Sequence, residues 1–410
     1  MTVFVLYREL CNFRLLSIFG IVLLTLYLSD DNKPVIESDR KSSGGRKTIL
    51  VASSFFGHSF DDDELGKFPS NCPAVCHIHY HNESENLNLV AQSDAILFHM
   101  YSSDFVPALR LLLPYRKTNR YSLENSKKIL PLRKQIWAFF AMETTSTLRI
   151  GKQFISVADF RKLDGIFNWS ISFRKDSTIW TPYHQFIGFH SKLQTPDEIN
   201  YQLEQLNPFV QSKMAIKKRH LAAVISNCDD SYGRLKLLRQ LQSFGVKVDI
   251  YGSCSPNNLQ CPGRMANECY KMLEEKYFFY ASFENSMCKD YVTEKLINIF
   301  RYSMVPVVIN GANVSQPSSY LKAYINGGDF QSVRDLAEFL IDIASDEEKY
   351  KSFFTWKEQY GLLFDAVRHP LCGLCVAIQD DQVDKQNETS DFKNWMDTNS
   401  GCQSLPFNLT

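Results

Sequence analysis

Short apolar segments that alternate with amphipathic helices restrict the fold of this chain more than any other feature. In the second half, residues 221–225 (LAAVI) predict a strand, residues 231–244 predict a helix, and residues 247–251 (KVDIY) predict the next strand. A strand, a helix and a strand of these lengths form a βαβ unit. The remaining predicted elements of this half are a helix over 264–276, a strand over 277–283, a helix over 291–302 and a strand over 305–309.

The first half of the chain repeats this alternation. Its predicted strands are residues 48–53, 75–80, 95–100 and 136–142, and polar or helical segments separate them. Alternating strands and helices favour a largely parallel sheet, so the predicted fold class is α/β. Sheets of this kind bind ligands at the carboxyl ends of their strands, beside helix N-termini, which directs attention to the segments that follow each strand.

An apolar segment lies near the N-terminus. Residues 15–28 (LLSIFGIVLLTLYL) carry no charge, Arg8 and Arg14 precede them, and two aspartates follow. This asymmetry predicts a cytosolic N-terminus. The segment is shorter than the ~20 residues that span a bilayer, which is also typical of a cleaved signal peptide. Because no small-residue cleavage site follows, we favour a retained signal-anchor.

Length and charge bound the organisation of the chain. Its 410 residues exceed one ordinary hydrophobic core, so two domains are expected. Lysine plus arginine and aspartate plus glutamate each number 45, and this balance argues against nucleic acid as a partner. The predicted regions are a cytoplasmic tail (1–14), a signal-anchor (15–28), a stem (29–47), an N-terminal α/β domain (48–200), a C-terminal α/β domain (201–380) and a C-terminal tail (381–410).

Cysteines and glycosylation motifs both indicate an oxidising, lumenal environment. Ten of the eleven cysteines follow the predicted anchor, an even number that suits disulfides, although the sequence leaves their pairing open. Cys72 and Cys76 lie beside three histidines and could be read as a metal site, but zinc needs reduced thiolates, so we favour disulfides. Glycosylation motifs occur at Asn82, Asn168, Asn313, Asn387 and Asn408, of which Asn168 lies in an aromatic segment where burial would prevent modification.

The densest group of polar residues occurs in residues 279–311. Glu284 and Asn285 follow a predicted strand, Asp290 is placed to cap the next helix, and Glu294 and Lys295 lie in its first turns. Main-chain N–H groups and the Lys295 ammonium would form an anion site, which favours a phosphorylated or nucleotide ligand. The alternative is an ordinary surface helix, which can carry the same capping aspartate and Glu–Lys pair.

This region resembles the α1,3/α1,4-fucosyltransferases, Golgi enzymes that move fucose from GDP-fucose to GlcNAc in glycans. The chain reads FYASFENSMCKDYVTEKL and VPVVING where the family pattern is roughly FYLxFENSxxxDYITEKL and VPVVxG. Matching segments extend across the region after the stem. The resemblance implies two Rossmann-like domains facing a cleft (GT-B type), with the donor bound by the C-terminal domain, and a single displacement that inverts the anomeric carbon.

The resemblance also implies roles for individual residues. Glu143, at the end of a predicted strand, matches the general base that takes the proton of the acceptor hydroxyl. Glu294 is counted with it among the catalytic residues. The positions that match donor contacts are Arg234 and Lys295 for the pyrophosphate, and Glu294, Asn285 and Tyr291 for the ribose or the fucose.

Departures from the family pattern lie on the acceptor side or at a packing turn. Thr144 and Thr145 follow Glu143 where the family usually has Ser-Pro, and Phe173 replaces a tyrosine. GDP-fucose is therefore better supported as the donor than any particular GlcNAc-containing acceptor. Residues 61–63 (DDD) are read as a solvated turn rather than a metal site, and no essential metal is expected, although a divalent ion could assist the diphosphate.

Two alternatives stay open at this point. A catalytically silent, lectin-like or scaffold protein could keep the fold and the nucleotide site, and the same fold could use another nucleotide sugar. The expected location is the Golgi membrane, which the chain would span once with its catalytic part in the lumen.

Overall fold

A computed structural model describes part of the chain. It covers residues 46–55, 59, 67–80, 87–125, 135–145, 157–183, 185–188, 217–229, 232–262, 266–309, 323–358, 360–363, 369–380, 391–396 and 401–407. The predicted tail, the signal-anchor and nearly all of the stem lie outside these residues, as do residues 61–63 and the predicted glycosylation sites Asn82, Asn313, Asn387 and Asn408. Within the covered ranges, no helix combines the length and apolar character needed to cross a membrane.

The first sheet has six strands in the order β2-β1-β3-β4-β5-β6. The strands are β1 (Lys47–Val51), β2 (Cys76–His79), β3 (Ala95–His99), β4 (Ile136–Ala141), β5 (Trp169–Ser172) and β6 (Ile179–Trp180). The pairs β1–β2, β1–β3, β3–β4 and β5–β6 are parallel. This sheet confirms the α/β class, and all four strands predicted in this half are present within a few residues of their expected ends.

Aromatic side chains fill the core beside this sheet. Phe98, Trp137, Phe139 and Phe167 are fully buried and their rings lie 5.2–5.7 Å apart, and Phe392 from a distant segment contacts Phe139 at 4.9 Å. These contacts account for part of the high aromatic content of the chain. The helical elements of this half are α1 (Leu87–Gln92), α2 (Phe105–Asn125) and a 3-10 helix (Val157–Leu163).

Asn168 is the predicted glycosylation site that falls within the described residues. Its side-chain oxygen accepts hydrogen bonds from the Trp137 main-chain N–H at 2.9 Å and from Arg116 Nη1 at 3.1 Å, and the residue is half-buried. The amide therefore helps to fix the chain after β4, and its modification stays a prediction.

The second sheet has five strands in the order β12-β11-β10-β8-β9, and all of its pairs are parallel. The strands are β8 (Arg219–Val224), β9 (Val248–Tyr251), β10 (Tyr277–Ala281), β11 (Val305–Val308) and β12 (Ile325–Asn326). The remaining pair, β7 (Gln185–Gly188) and β13 (Tyr360–Leu363), is antiparallel. The predicted βαβ unit and both later strands are confirmed. Because the chain passes from β8 to β9 and then back to β10, the strand order reverses between β8 and β10.

Amphipathic helices cover the second sheet. Helix α3 (Arg234–Ser243) buries Leu235, Leu238 and Leu241, the residues whose spacing predicts one apolar face. The other helical elements described in this half are α4 (Ala266–Glu274), α5 (Glu294–Ile297), a 3-10 helix (Asn298–Arg301), another 3-10 helix (Gly327–Asp329), α6 (Val333–Ser345), α7 (Glu347–Lys351) and a 3-10 helix (Ser352–Glu358). Helix α8 (Pro370–Gln379) instead packs against β1 of the first sheet, and α9 (Phe392–Met396) follows it along the chain.

Two predictions about the segment after β10 are wrong. The helix predicted over 291–302 is a single α-helical turn, α5, followed by a 3-10 turn. Its N-cap is Thr293, whose hydroxyl accepts from the Lys295 main-chain N–H, and not Asp290. Asp290 has a φ of 61° and accepts instead from the Lys175 main-chain N–H at 3.2 Å. Tyr291 and Val292 lie outside any helix, so the chain reaches helical geometry three residues later than predicted.

All ten cysteines after the predicted anchor form disulfides. The pairs are Cys72–Cys372, Cys76–Cys375, Cys228–Cys254, Cys261–Cys269 and Cys288–Cys402. Cys72 and Cys76 thus bond two cysteines on successive turns of α8, which accounts for them without a metal. The disulfide expectation is confirmed, with a pairing that the sequence left open.

The chain divides into two compact units, each assembled from several segments. The first unit takes its described residues from Met1–Ala141, Gly151–Ser170 and Pro370–Phe392, and the second from Met142–Ile150, Ile171–His369 and Lys393–Thr410. The predicted boundaries 48–200 and 201–380 are contiguous, so they do not describe these units segment by segment. The two-domain GT-B arrangement stays a prediction.

Candidate active site

A closed loop follows β10 at the carboxyl edge of the second sheet. The Glu284 carboxylate accepts from the Thr293 main-chain N–H at 2.8 Å and from the Thr293 hydroxyl at 2.8 and 2.9 Å, and these bonds join the two ends of the loop. We call residues 284–293 the 284–293 loop. Glu284 lies three residues after the end of β10, and Thr293 caps α5. The loop therefore spans the edge next to β8, where the strand order reverses and α/β proteins place their ligands.

Lys295 lies at the base of this loop, in contact with three acceptors. Its ammonium is 3.0 Å from the Thr293 hydroxyl, 3.0 Å from the Glu294 carboxylate and 3.2 Å from the Glu284 carboxylate. Burial disfavours the charge on Lys295, but Glu284 and Glu294 outweigh that effect and raise its pKa above the usual value. Lys295 is therefore a fixed cation with 26% of its side chain exposed.

Glu284 and Glu294 differ in environment although both contact Lys295. The pKa of Glu284 is raised because burial disfavours its carboxylate, an effect that Lys295 only partly opposes. Glu294 keeps 48% of its side chain exposed. Glu284 is therefore part of the framework that holds the loop and Lys295, whereas Glu294 is open to a ligand.

Tyr291 links the 284–293 loop to Glu143. Its hydroxyl donates to Glu143 Oε2 at 2.6 Å, across 148 positions of sequence, and its ring packs edge-on against Phe173 at 5.0 Å. Burial, followed by the charge of Glu143, raises the pKa of Tyr291 well above the usual value, so the hydroxyl stays protonated and acts as a donor. Tyr291, from the motif expected to bind the donor, thereby orients the carboxylate of Glu143, which is expected to act as the base.

Further hydrogen bonds fix the backbone around Glu143. The Thr144 hydroxyl donates to the Ser286 hydroxyl at 2.9 Å, and the Tyr183 hydroxyl donates to the Met142 carbonyl at 2.8 Å. Thr144 is one of the departures from the family pattern, and here it serves as a second link to the 284–293 loop. Both residues flanking Glu143 are therefore held in place, while Glu143 itself is half-buried.

Arg234 begins helix α3 and points to the segment after β8. It is 6% exposed, and its Nη2 donates to the Asn227 carbonyl at 2.7 Å. The predicted position in the first turn of this helix is confirmed. The guanidinium stabilises the turn between β8 and α3. Because β8 is the strand next to β10, Arg234 lies where a second cation at the same edge of the sheet would be expected.

The structure therefore brings Glu143, Tyr291, Glu294 and Lys295 together, and Asn285 lies in the same loop, half-buried beside Glu284. A small recess, partly open to solvent, is lined by residues of this loop and of the neighbouring elements. Its lining includes Ser282, Glu284, Ser286, Tyr291, Leu296 and Val308.

Sequence reasoning missed the residues that hold this arrangement. Glu284 was noted at a strand end without a role, and the pairs Thr144–Ser286 and Cys288–Cys402 had no signal because their members are far apart in sequence. The sequence signal for this group was the short separation of Glu284, Thr293 and Lys295, which could have indicated that their side chains contact one another. Within the ranges that the structure covers, no three His, Cys, Asp or Glu side chains are grouped as metal ligands would be.

Two models of one protein family match this chain. The model described as "Glycosyltransferase family 10 (fucosyltransferase) C-term" matches residues 214–395, and the model "Fucosyltransferase, N-terminal" matches residues 44–184. Together they span both sheets and include Glu143, the 284–293 loop and Lys295.

Characterised relatives agree with this match. The chain is 32% identical over 241 residues to "Glycoprotein 3-alpha-L-fucosyltransferase A" of Drosophila melanogaster, covering 57% of this chain but only 44% of that relative. It is 29% identical to "Alpha-(1,3)-fucosyltransferase C" of Drosophila melanogaster, over 87% of this chain and 79% of the relative. It is 30% identical to "Alpha-(1,3)-fucosyltransferase 7" of Rattus norvegicus, over 74% of this chain and 67% of the relative. The chain thus belongs to glycosyltransferase family 10, the fucosyltransferases.

Proposed function

We propose that the protein is an inverting α1,3-fucosyltransferase that moves L-fucose from GDP-β-L-fucose to a GlcNAc hydroxyl of glycoprotein glycans. The observation that carries this proposal is the 2.6 Å hydrogen bond between Tyr291 and Glu143. It joins the motif that resembles the family's donor site to the one carboxylate that matches the family's base. The names of the relatives, all fucosyltransferases, support the reaction class.

Glu143 acts as the general base in this reaction. Its carboxylate takes the proton of the acceptor hydroxyl while the hydroxyl oxygen bonds to the anomeric carbon of fucose and the bond from that carbon to the phosphate oxygen breaks. A single displacement inverts the anomeric carbon. Because Tyr291 donates to Oε2, this hydrogen bond fixes the orientation of the carboxylate that takes the acceptor proton.

The donor side supplies positive charge. GDP gains negative charge as it leaves, so a fixed cation stabilises the transition state more than the ground state. Lys295 is held by Thr293, Glu284 and Glu294 and supplies this charge. Arg234 is the second pyrophosphate contact, and the exposed Glu294 carboxylate, Asn285 and Tyr291 contact the ribose or the fucose.

The protein works in the Golgi lumen as a single-pass type II membrane protein. The apolar segment 15–28, with arginines before it, supports the membrane anchor. Five disulfides support an oxidising compartment for the remainder of the chain. We expect no essential metal in the reaction, and a divalent ion could assist by offsetting the charge of the diphosphate.

The test is transfer of labelled fucose from GDP-fucose to a panel of GlcNAc-containing glycans by the full chain produced in eukaryotic cells. The panel includes core N-glycans and outer Gal-GlcNAc and GalNAc-GlcNAc arms, because the acceptor arm is open. Transfer to at least one acceptor, with none from the Glu143→Gln variant, is the expected result. Binding of GDP without transfer to any acceptor would instead support the silent, lectin-like alternative, and competition by UDP rather than GDP would support another nucleotide sugar.

A further inference from the structure

A short C-terminal segment, residues 401–407, is attached to the 284–293 loop by two bonds. Cys402 forms a disulfide with Cys288, and the Gln403 main-chain N–H donates to the Met287 carbonyl at 2.8 Å in an isolated antiparallel bridge. The two contacts are on consecutive residues of both partners. The loop is therefore fixed at its centre by a segment more than a hundred residues away in sequence.

This attachment lies next to Tyr291. The Tyr291 main-chain N–H donates to the Cys288 carbonyl at 3.2 Å. Tyr291, Cys288 and Phe173 form one buried cluster, against which Cys402 and Tyr183 pack. A displacement of Cys288 is thus transmitted directly to the Tyr291 ring and to the hydroxyl that holds Glu143.

The C-terminal segment is itself well anchored. Phe407 is 8% exposed and belongs to the apolar core of the second sheet, and Leu405 packs against the same core. Gly401 has a φ of 58°, and a Cβ placed there would lie 3.4 Å from the Cβ of Lys289. Leu405 and Phe407, after Cys402, are therefore packed in the core, and Gly401, before it, lies close to the loop. The segment can thus hold Cys288 in a defined position.

We propose that Cys402, through its disulfide with Cys288, is a positioning residue that sets the Tyr291–Glu143 hydrogen bond for proton transfer. This inference rests on the proposed function, in which Glu143 is the base. A misplacement of about 1 Å at a reacting group can cost a factor of ~100 in rate. The C-terminal segment 401–407 is then part of the catalytic framework and not only a tail.

Other contacts limit the effect of losing this disulfide. The ends of the loop stay joined by Glu284 and Thr293, and Ser286 stays bonded to Thr144. Lys295 lies outside the loop and keeps its own partners. We therefore expect a fall in kcat of roughly tenfold, smaller than full misplacement would cause, with the affinity for the donor nearly unchanged.

The experiment compares two double variants of the full chain. Cys288→Ser/Cys402→Ser removes the disulfide without leaving an unpaired thiol, and Cys261→Ser/Cys269→Ser is the matched control. The control pair belongs to the same unit, and Cys269 packs in a different cluster, with Tyr270 and Leu273. The readouts are kcat, KM for GDP-fucose, the dissociation constant of GDP, and the temperature of unfolding.

The expected result is a roughly tenfold lower kcat for the Cys288/Cys402 variant, with KM for GDP-fucose and GDP affinity within about twofold of the native values, and native kcat for the control. A third variant, Gln403→Pro, keeps both cysteines and removes the main-chain donor to Met287, so it should lower kcat by a smaller factor. It also keeps the proposal testable should the double variant not fold.

Three outcomes would overturn the proposal: a native kcat in the Cys288/Cys402 variant, an equal loss of kcat and GDP affinity, or an equal fall of kcat in the control. Failure of the proposed function itself is distinguishable, because the native chain would then transfer no fucose to any acceptor. If the native chain and the disulfide variant are equally active, the proposed function stands and only the positioning role of Cys402 is wrong.

Discussion

The two sheets share one feature of strand order, but the side chains at their carboxyl edges differ in chemistry. In both, the second strand along the chain lies outside the first, so the order reverses between β1 and β3 in one sheet and between β8 and β10 in the other. At the first edge, Asp104 accepts from the Ser54 main-chain N–H at 2.9 Å and from the Ser54 hydroxyl at 2.9 Å, and the Ser102 hydroxyl also donates to it. This is a compact cluster of buried hydroxyl groups around one carboxylate.

The second edge is built differently. Instead of a self-contained cluster, it has the 284–293 loop, a lysine with a raised pKa, and the exposed Glu294 carboxylate. Its hydrogen bonds extend outward to Glu143, to Thr144 and to the C-terminal segment. The comparison teaches that the reversal of strand order determines where a site can form. The length and charge of the loop after the strand determine which chemistry that site can carry out.

The largest expected effect tests Glu143, the carboxylate to which Tyr291 of the second edge donates. Glu143→Gln removes the base but keeps the shape of the side chain, so turnover should fall by roughly 10²–10⁴-fold. The dissociation constant of GDP should change by less than about threefold, because Lys295 and Arg234 are untouched. Steady-state kinetics and calorimetric titration with GDP measure the two quantities. Turnover within twofold of native would remove Glu143 from its assigned role; Glu347→Gln, on an exposed helix, is the control.

Lys295→Ala should weaken donor binding rather than turnover alone. Hydrogen bonds to charged groups contribute roughly 1.5–3 kcal/mol, so the dissociation constant of GDP-fucose should rise by about 10–100-fold. The substitution also leaves the Glu284 carboxylate buried without its cation, so a lower unfolding temperature is expected. Lys349→Ala, which removes a half-exposed lysine paired with Asp342 at 2.7 Å, should change neither quantity. A native affinity for GDP-fucose in Lys295→Ala would contradict the donor-side assignment.

Asp104→Ala tests whether the first edge is structural. The buried Ser54 and Ser102 hydroxyls and the Ser54 N–H would lose their acceptor, which should lower the free energy of unfolding by about 2 kcal/mol. GDP affinity should stay within twofold of native, since these contacts are all inside the first unit. Denaturant unfolding and GDP titration give the two values. A large loss of GDP affinity with native stability would assign a donor-binding role to the first edge instead.

The last expected effect appears only as the pH is lowered and comes from His99 beside this first edge. His99 is fully buried among the rings of Phe55, Tyr101 and Phe140, and burial lowers its pKa to about 3. The unfolded chain therefore binds a proton at His99 that the folded chain does not, so stability from this group is present above about pH 6.5 and is lost as the pH falls towards 3.

His99→Leu should remove that dependence. Between about pH 7.5 and 5.0, the native protein should lose about 2 kcal/mol more of its free energy of unfolding than the variant loses. Denaturant unfolding at the two pH values measures the difference, and the other histidines contribute equally to both proteins. Equal losses in the two proteins would mean that His99 is protonated in the folded state.

Much of the fold could be predicted because strands and helices are local patterns. The leucines of α3 were predicted to form one face and are buried, and the short apolar runs before Glu143 and Glu284 are buried strands. The motif around Tyr291 and Lys295 could be identified from adjacent residues alone. The N-cap was mispredicted because Asp290 and Thr293 are both capping residues, and Glu284, which selects Thr293 by binding its N–H and hydroxyl, acts from nine residues away.

The sequence by itself determined the α/β alternation, the family motif and the even set of cysteines, since each depends on residue types at short, regular spacing. Only the tertiary structure decided which cysteines pair, that Tyr291 holds Glu143, and that the C-terminal segment fixes the loop between them. Except for Cys228–Cys254 and Cys261–Cys269, those contacts join residues separated by more than a hundred positions. Their formation depends on how strands and loops pack, which no local pattern of side chains encodes.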